Sequence, residues 1–133
     1  MALKVLVVDD EPLVRQALAA MLDHLGITYE MVENGDLALE VLKLRKPDIA
    51  LVDLVLPGQV DGLGVIATLV DKYPTAKVIA MSGDNASETY FRALRLRGVN
   101  HTISKPISLE DLSKAISAVT GLNIEDLGED LIG

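Results

Sequence analysis

The sequence predicts an α/β fold in which parallel strands form a single sheet covered by helices on both faces. Two observations predict it. Strand-like and helix-like patterns alternate along the chain in five βα units, and alternating units of this length build parallel sheets. The strand segments are mostly uninterrupted apolar runs, among them Val5-Leu6-Val7-Val8, Ile49-Ala50-Leu51-Val52 and Val78-Ile79-Ala80-Met81, as a sheet buried on both sides requires. The chain has 133 residues, 50% of them hydrophobic, which suffices for one domain with a real core.

The first strand, from Leu3 to Val8, ends in Asp9-Asp10. Pro12 opens a helix, where its missing N–H costs nothing. Leu13, Val14, Ala17, Leu18, Met21, Leu22 and Leu25 then follow helical spacing, and Gly26 closes that helix as a C-cap. Thr28 to Val32 is a short strand and Asn34-Gly35 a turn. A second helix carries Leu37, Leu39, Val41, Leu42 and Leu44, and Pro47 terminates it. The third strand runs to Asp53. A loop from Leu54 to Asp61, with Pro57-Gly58 at its centre, leads to a third helix over about Leu63 to Tyr73, which Pro74 ends. The fourth strand leads to Ser82-Gly83. Asn85-Ala86-Ser87-Glu88 has the form of a capping box for a fourth helix, which Gly98 ends. The fifth strand leads to Lys105-Pro106. Ser108-Leu109-Glu110-Asp111 has N-cap spacing, with Asp in place of the usual Glu, and the last main helix runs to about Val119. Beyond Gly121 the chain is acidic, with Leu122, Ile124, Leu127, Leu131 and Ile132 interspersed. That pattern suits an extra amphipathic turn or the start of a linker.

Composition excludes several function classes. There is no cysteine, so disulfides and thiolate metal sites are out. No apolar stretch reaches the ~18 residues of a membrane span, and the start lacks the features of a signal peptide; a cytoplasmic protein is expected. The net charge of -8 disfavours direct nucleic-acid binding, which depends on neutralising phosphates. Arg92, Arg95 and Arg97 read as a solvated helix face, with a partner-binding patch as the alternative.

The chemistry lies at the strand ends. Parallel strands place their carboxyl ends along one rim of the sheet, so residues far apart in sequence meet there. Asp9 and Asp10, extended by Glu11, end the first strand; Asp53 ends the third, Ser82 the fourth, and Lys105 the fifth. Each has a bland reading alone: a turn and an N-cap before Pro12, a turn at Ser82-Gly83, a solvated lysine. Together they suit a divalent cation and a phosphoryl group. Crowded carboxylates need a cation, and Mg²⁺ prefers a few oxygen ligands. A carboxylate can attack phosphorus and form an aspartyl phosphate, provided that donors hold the phosphoryl oxygens.

Val7-Val8-Asp9-Asp10-Glu11-Pro12, Val52-Asp53-Leu54-Val55-Leu56-Pro57-Gly58, Asp61-Gly62, Met81-Ser82-Gly83 and Lys105-Pro106 occur in this order. With them the chain resembles the receiver domain of two-component response regulators over about Leu3 to Val119. The resemblance implies a flavodoxin-like doubly wound three-layer sandwich with strand order 2-1-3-4-5, a receiver domain over 1–120, and a tail or linker start over 121–133. It implies a phosphoacceptor, not an enzyme. Asp53 takes a phosphoryl group from a histidine kinase or phosphotransfer protein; Asp9, Asp10, Asp53 and the backbone carbonyl of Val55 hold Mg²⁺; Ser82 and Lys105 bind the phosphoryl oxygens. The Lys105–Pro106 bond is expected to be cis. Phosphorylation biases a two-state equilibrium, felt on the face of the fourth helix, fifth strand and fifth helix. The partner reading the signal is an unknown downstream protein, with a homodimer as a further alternative.

Three departures from the family pattern stand out. The switch position that usually holds an aromatic residue, three before the lysine, is Thr102. Gln59 is an extra residue in the loop before Asp61-Gly62. Val55 and Asp84 occupy positions that tune phosphoryl lifetime, and an apolar Val55 cannot hydrogen-bond an attacking water, so slow self-dephosphorylation is expected. Alternatives remain. A pseudo-receiver would dock without phosphorylation. A haloacid-dehalogenase-like phosphohydrolase also uses an Asp nucleophile with Mg²⁺, but places a second acid two residues on, where Val55 stands, and needs a cap that is absent. Gly62-Leu63-Gly64-Val65-Ile66-Ala67 matches a dinucleotide-binding pattern, but it follows the third strand after a long loop, so helix packing is its expected role. His24 and His101 are read as surface or boundary residues, and Met21, Met31 and Met81 as core or strand residues.

Overall fold

The computed structural model describes residues 3–83 and 88–123. The expectations for Asp84, for the residues 85–87 of the capping box, and for the tail residues Ile124, Leu127, Leu131 and Ile132 lie outside the described residues. Five strands alternate with five helices: β1 Lys4–Val8, α1 Pro12–His24, β2 Thr28–Val32, α2 Gly35–Leu44, β3 Ile49–Asp53, α3 Gly62–Lys72, β4 Lys77–Ser82, α4 Glu88–Leu96, β5 His101–Ser104 and α5 Leu109–Thr120. All pairings are parallel and the sheet order is β2-β1-β3-β4-β5.

Strand alternation divides the core into two apolar layers. Leu6, Val8, Ala50, Val52, Val78 and Ala80 face α2, α3 and α4, where they meet Leu42, Ile66, Leu69 and Leu94. Val5, Val7, Ile49, Leu51, Ile79 and Met81 face the other way onto Leu18 and Leu22 of α1 and Leu112 and Ile116 of α5. The central strand β3 is buried at every position, whereas β2 is exposed or half-buried throughout. Edge position explains the contrast: β2 pairs only with β1, and its sequence carries Glu30 and Thr28.

The helix ends follow local chemistry. Pro12 stands at the start of α1, Ser108 Oγ accepts from Asp111 N at 3.0 Å to cap α5, and Gly121 closes α5 in the left-handed region. Gly26 takes φ 72° just beyond the Leu25 C-cap, so the glycine follows the cap rather than forming it. Asn34-Gly35 is not a free turn. Asn34 caps α2 by accepting from Leu37 N at 2.8 Å, and Gly35 is its first residue. A Cβ on Gly35 would stand 2.2 Å from the Val60 carbonyl oxygen, so the β3–α3 loop lies directly on the start of α2. Lys72 Nζ and Tyr73 Oη both donate to the Leu42 carbonyl, at 2.9 and 2.6 Å, satisfying an acceptor that the end of α2 leaves open.

Candidate functional site

The strand order puts β1 beside β3, with β4 next and β5 beyond it, so the carboxyl ends of these four strands form one rim. Asp9 follows β1 and is fully buried; its N–H donates to Val32 O at 3.2 Å, anchoring it to the neighbouring strand end. Asp53 is the last residue of β3 and is 4% exposed. Lys105 N donates to Ser82 O at 2.7 Å, which holds the lysine beside the end of β4. The Lys105–Pro106 bond is cis.

Side chains from these separate segments converge. One carboxylate oxygen from each of Asp9, Asp10, Glu11 and Asp53 lies within 4.8 Å of the others. Lys105 Nζ stands 2.8 Å from Asp9 Oδ2, 2.9 Å from Asp53 Oδ2 and 3.3 Å from Glu11 Oε1. The other oxygens are held by backbone. Glu11 N donates to Asp9 Oδ1 at 2.9 Å, and Val55 N donates to Asp53 Oδ1 at 3.0 Å. Buried Asp9 Oδ2 accepts no hydrogen bond and meets its counter-charge only as an ion pair with Lys105.

The electrostatics are unbalanced. Burial pushes the Asp53 carboxyl above its ordinary value and the charge of Asp9 adds to this; the Val55 N–H and Lys105 pull it back only in part. Burial alone would lower Lys105, but its pairing with Asp9 and Asp53 outweighs that and raises it well above its ordinary 10.5. Lys105 thus pairs with three carboxylates, and Asp10 adds a fourth to the cluster. The oxygen-only donor set, with an orphaned buried lone pair on Asp9, fits a hard divalent cation.

Ser82 ends β4, half-buried and in register with Ser104; Thr102 is half-buried in register with Ala80. Residues two apart share a sheet face, so Ser82 and Thr102 lie on the face covered by α4. Val55 directs its side chain outward at 78% exposure, and Gln59 is exposed in the same loop. His24 is exposed at the end of α1 and His101 half-buried at the start of β5; both are away from the rim. Gly62 opens α3 against β3, where a Cβ would meet Asp53 O at 2.1 Å, in keeping with helix packing as the role of that glycine pattern. Arg92, Arg95 and Arg97 are exposed on and just after α4, with Arg95 paired to Glu88 at 3.0 Å. Sequence reasoning missed Arg15, whose guanidinium donates to the Asp9 carbonyl at 2.8 Å. Nothing in an amphipathic helix pattern marks such a contact.

Comparison with known proteins agrees with the fold. The chain is 35% identical over 124 residues to the positive alginate biosynthesis regulatory protein of Pseudomonas aeruginosa, covering 91% of this chain and 48% of that one. It superposes on NtrX from Brucella abortus with a TM-score of 0.81 at 30% identity, covering 98% of this chain and 30% of that one. The receiver domain of sensor histidine kinase PA1611 from P. aeruginosa PAO1, solved with magnesium coordinated in its active-site cleft, has the same fold. Its TM-score is 0.79 at 22% identity, covering 92% of this chain and 100% of that one. The chain spans about half the length, or less, of the curated relatives it matches. Among the described residues no helix is long and apolar enough to cross a membrane. The family model of the response regulator receiver domain matches residues 5–117, and the chain therefore belongs to the receiver domain family of two-component response regulators.

Proposed function

We propose that Asp53 accepts a phosphoryl group from a phosphohistidine donor, a histidine kinase or a phosphotransfer protein, in a Mg²⁺-dependent reaction. The observation that carries this is the convergence of Asp9, Asp10, Glu11 and Asp53 oxygens within 4.8 Å, with Lys105 Nζ 2.9 Å from Asp53 Oδ2. A carboxylate oxygen of Asp53 attacks phosphorus while the P–N bond to the donor imidazole breaks and that nitrogen keeps the electron pair. Asp9, Asp10, Asp53 and the Val55 carbonyl hold Mg²⁺. The ion supplies neutralisation of carboxylate and phosphoryl charge. Lys105 pairs with a phosphoryl oxygen, and the Ser82 hydroxyl turns to donate to another. The receiver spans 1–120, with 121–133 as tail or linker, and works in the cytoplasm with its kinase. It assists only its own phosphorylation and dephosphorylation, and its output is altered contact with a downstream protein. Without an aromatic at Thr102, the signal leaves through a smaller rearrangement around Ser82 and Thr102.

Incubation with acetyl phosphate and Mg²⁺ followed by intact mass measurement tests this. One phosphoryl adduct is expected, absent with chelator and absent in Asp53→Asn. A folded protein that takes no adduct would instead be a docking module indifferent to phosphorylation. The adduct is also expected to be long-lived, because the exposed aliphatic Val55 side chain at the mouth of the site offers an attacking water no hydrogen-bond partner. Val55→Asn should shorten its half-life; loss of label from the unaltered protein within seconds would contradict the assignment.

A further inference from the structure

Three of the four polar atoms of Asp9 are hydrogen-bonded, and the fourth, Oδ2, has only an ion pair. Its N–H binds Val32 O, Oδ1 accepts from Glu11 N, Oδ2 pairs with Lys105, and its carbonyl accepts from Arg15 Nη1 at 2.8 Å. The last contact is unusual for its surroundings. Arg15 is half-buried on α1, one turn from Asp10 and Glu11, yet among the described residues it pairs with no carboxylate. It spends its charge on a backbone oxygen. That oxygen belongs to the peptide joining Asp9 to Asp10, so the contact fixes the plane of the one peptide group from which both side chains spring.

We propose that Arg15 is a positioning residue that clamps the Asp9–Asp10 peptide so that both carboxylates face the cation. Mg²⁺ tolerates little deviation from its octahedral geometry. A ligand loop free to rotate loses that geometry and must be ordered again on binding. Pro12 fixes the backbone at the start of α1, and α1 packs through Leu18 and Leu22 into the core. The guanidinium thus ties the acidic loop to a rigid element. Its charge also offsets carboxylate repulsion without competing for a carboxylate oxygen, as Lys105 does.

The inference rests on the Mg²⁺ role proposed above, and the test separates the two. The unaltered full chain and three variants are titrated with Mg²⁺ alone, without phosphodonor, and binding is followed by amide chemical shifts in NMR. Arg15→Met removes donor and charge, Arg15→Gln keeps an amide donor, and Arg15→Lys keeps a donor and the charge. Arg15→Met is expected to weaken Mg²⁺ roughly tenfold, the scale for a group that orients metal ligands. Arg15→Lys should recover most of that loss, with Arg15→Gln between. The phosphorylation defect of Arg15→Met should be overcome by raising Mg²⁺. Equal Mg²⁺ affinity in Arg15→Met and the unaltered chain overturns the inference alone. So does a loss that Arg15→Lys fails to recover while its spectrum stays native. No Mg²⁺ binding by the unaltered chain overturns the proposed function and the inference with it. If Arg15→Met does not fold, the comparison of Arg15→Gln with Arg15→Lys decides by the same criterion.

Discussion

Lys105→Ala is expected to cut the rate of Asp53 phosphorylation by acetyl phosphate about a hundredfold or more at saturating Mg²⁺, the scale for removing one preorganised donor from developing phosphoryl charge. The Lys105 side chain is 13% exposed and its ammonium lies within 2.9 Å of two buried carboxylates, so no solvated side chain can take its place. The same substitution carries a pH signature. Asp53 already ionises above its ordinary value, because burial outweighs what Lys105 and Val55 give back. The folded state therefore binds a proton at Asp53 more tightly than the unfolded state does. By linkage, the Asp53 contribution to stability falls as pH rises from the unfolded value of 3.8 through the folded one. Removing Lys105 removes a downward influence and widens that window. Lys105→Ala should lose more stability, relative to the unaltered chain, at pH ~7 than at pH ~4. Added Mg²⁺ should restore part of it. Lys105 itself, raised above 10.5, contributes stability that is present below that pH and disappears as pH climbs through its folded value. Thermal unfolding at acid and neutral pH, with and without Mg²⁺, checks the Asp53 sign, and a series carried above pH 10.5 checks that of Lys105. A Lys105→Ala protein equally destabilised at both would mean that the lysine acts by packing rather than by charge.

Gly62→Ala is expected to destabilise the fold by about 3 kcal/mol, the upper range for forcing atoms into a packed interior. The added Cβ would stand 2.1 Å from Asp53 O, 2.7 Å from Leu54 Cα and 2.9 Å from Asp53 C. These are backbone atoms at the end of the central strand, and they cannot rotate aside. Either α3 lifts from the sheet or Asp53 shifts, so phosphorylation of the surviving folded fraction should fall as well. Gly64→Ala, two residues on in the same helix turn, is the control. Its Cβ would meet Val60 Cγ1 at 3.2 Å, a side-chain atom that can yield. Alanine also favours helix over glycine by about 0.8–1.0 kcal/mol. Urea denaturation should therefore separate the two variants by well over 1 kcal/mol. Near-equal midpoints would show that the start of α3 is not pressed against β3.

Gly62 marks where reading the sequence stops. Apolar runs, helical spacing and capping residues located the ten elements, because buried strands and amphipathic helices announce themselves by period and helix ends by their caps; the predicted start of the fourth helix lies outside the described residues. The rim positions of Asp9, Asp10, Asp53, Ser82 and Lys105 were legible because each ends or follows a strand and parallel strands share a rim. The order β2-β1-β3-β4-β5 came only from resemblance, since periodicity says nothing about which strands are neighbours. Gly35 read as half of a turn and Gly62 as part of a repeated glycine pattern; what each needs is space for backbone arriving from elsewhere, Val60 O and Asp53 O. Arg15 looked like any polar position of a surface helix, because its partner is a carbonyl, and every residue has one. β2 departed from the buried-run pattern for a topological reason: it closes the sheet edge.

Borohydride reduction of the phosphorylated protein, followed by peptide mapping, tests the central claim most directly. Acyl phosphates are reduced by borohydride to the corresponding alcohol, whereas phosphoserine and phosphohistidine are not. Conversion of Asp53 to homoserine, dependent on both phosphodonor and Mg²⁺, is the expected result. Label that survives reduction, or homoserine at Asp9 or Asp10 with Asp53 unchanged, would contradict the assignment of Asp53 as the phosphoacceptor.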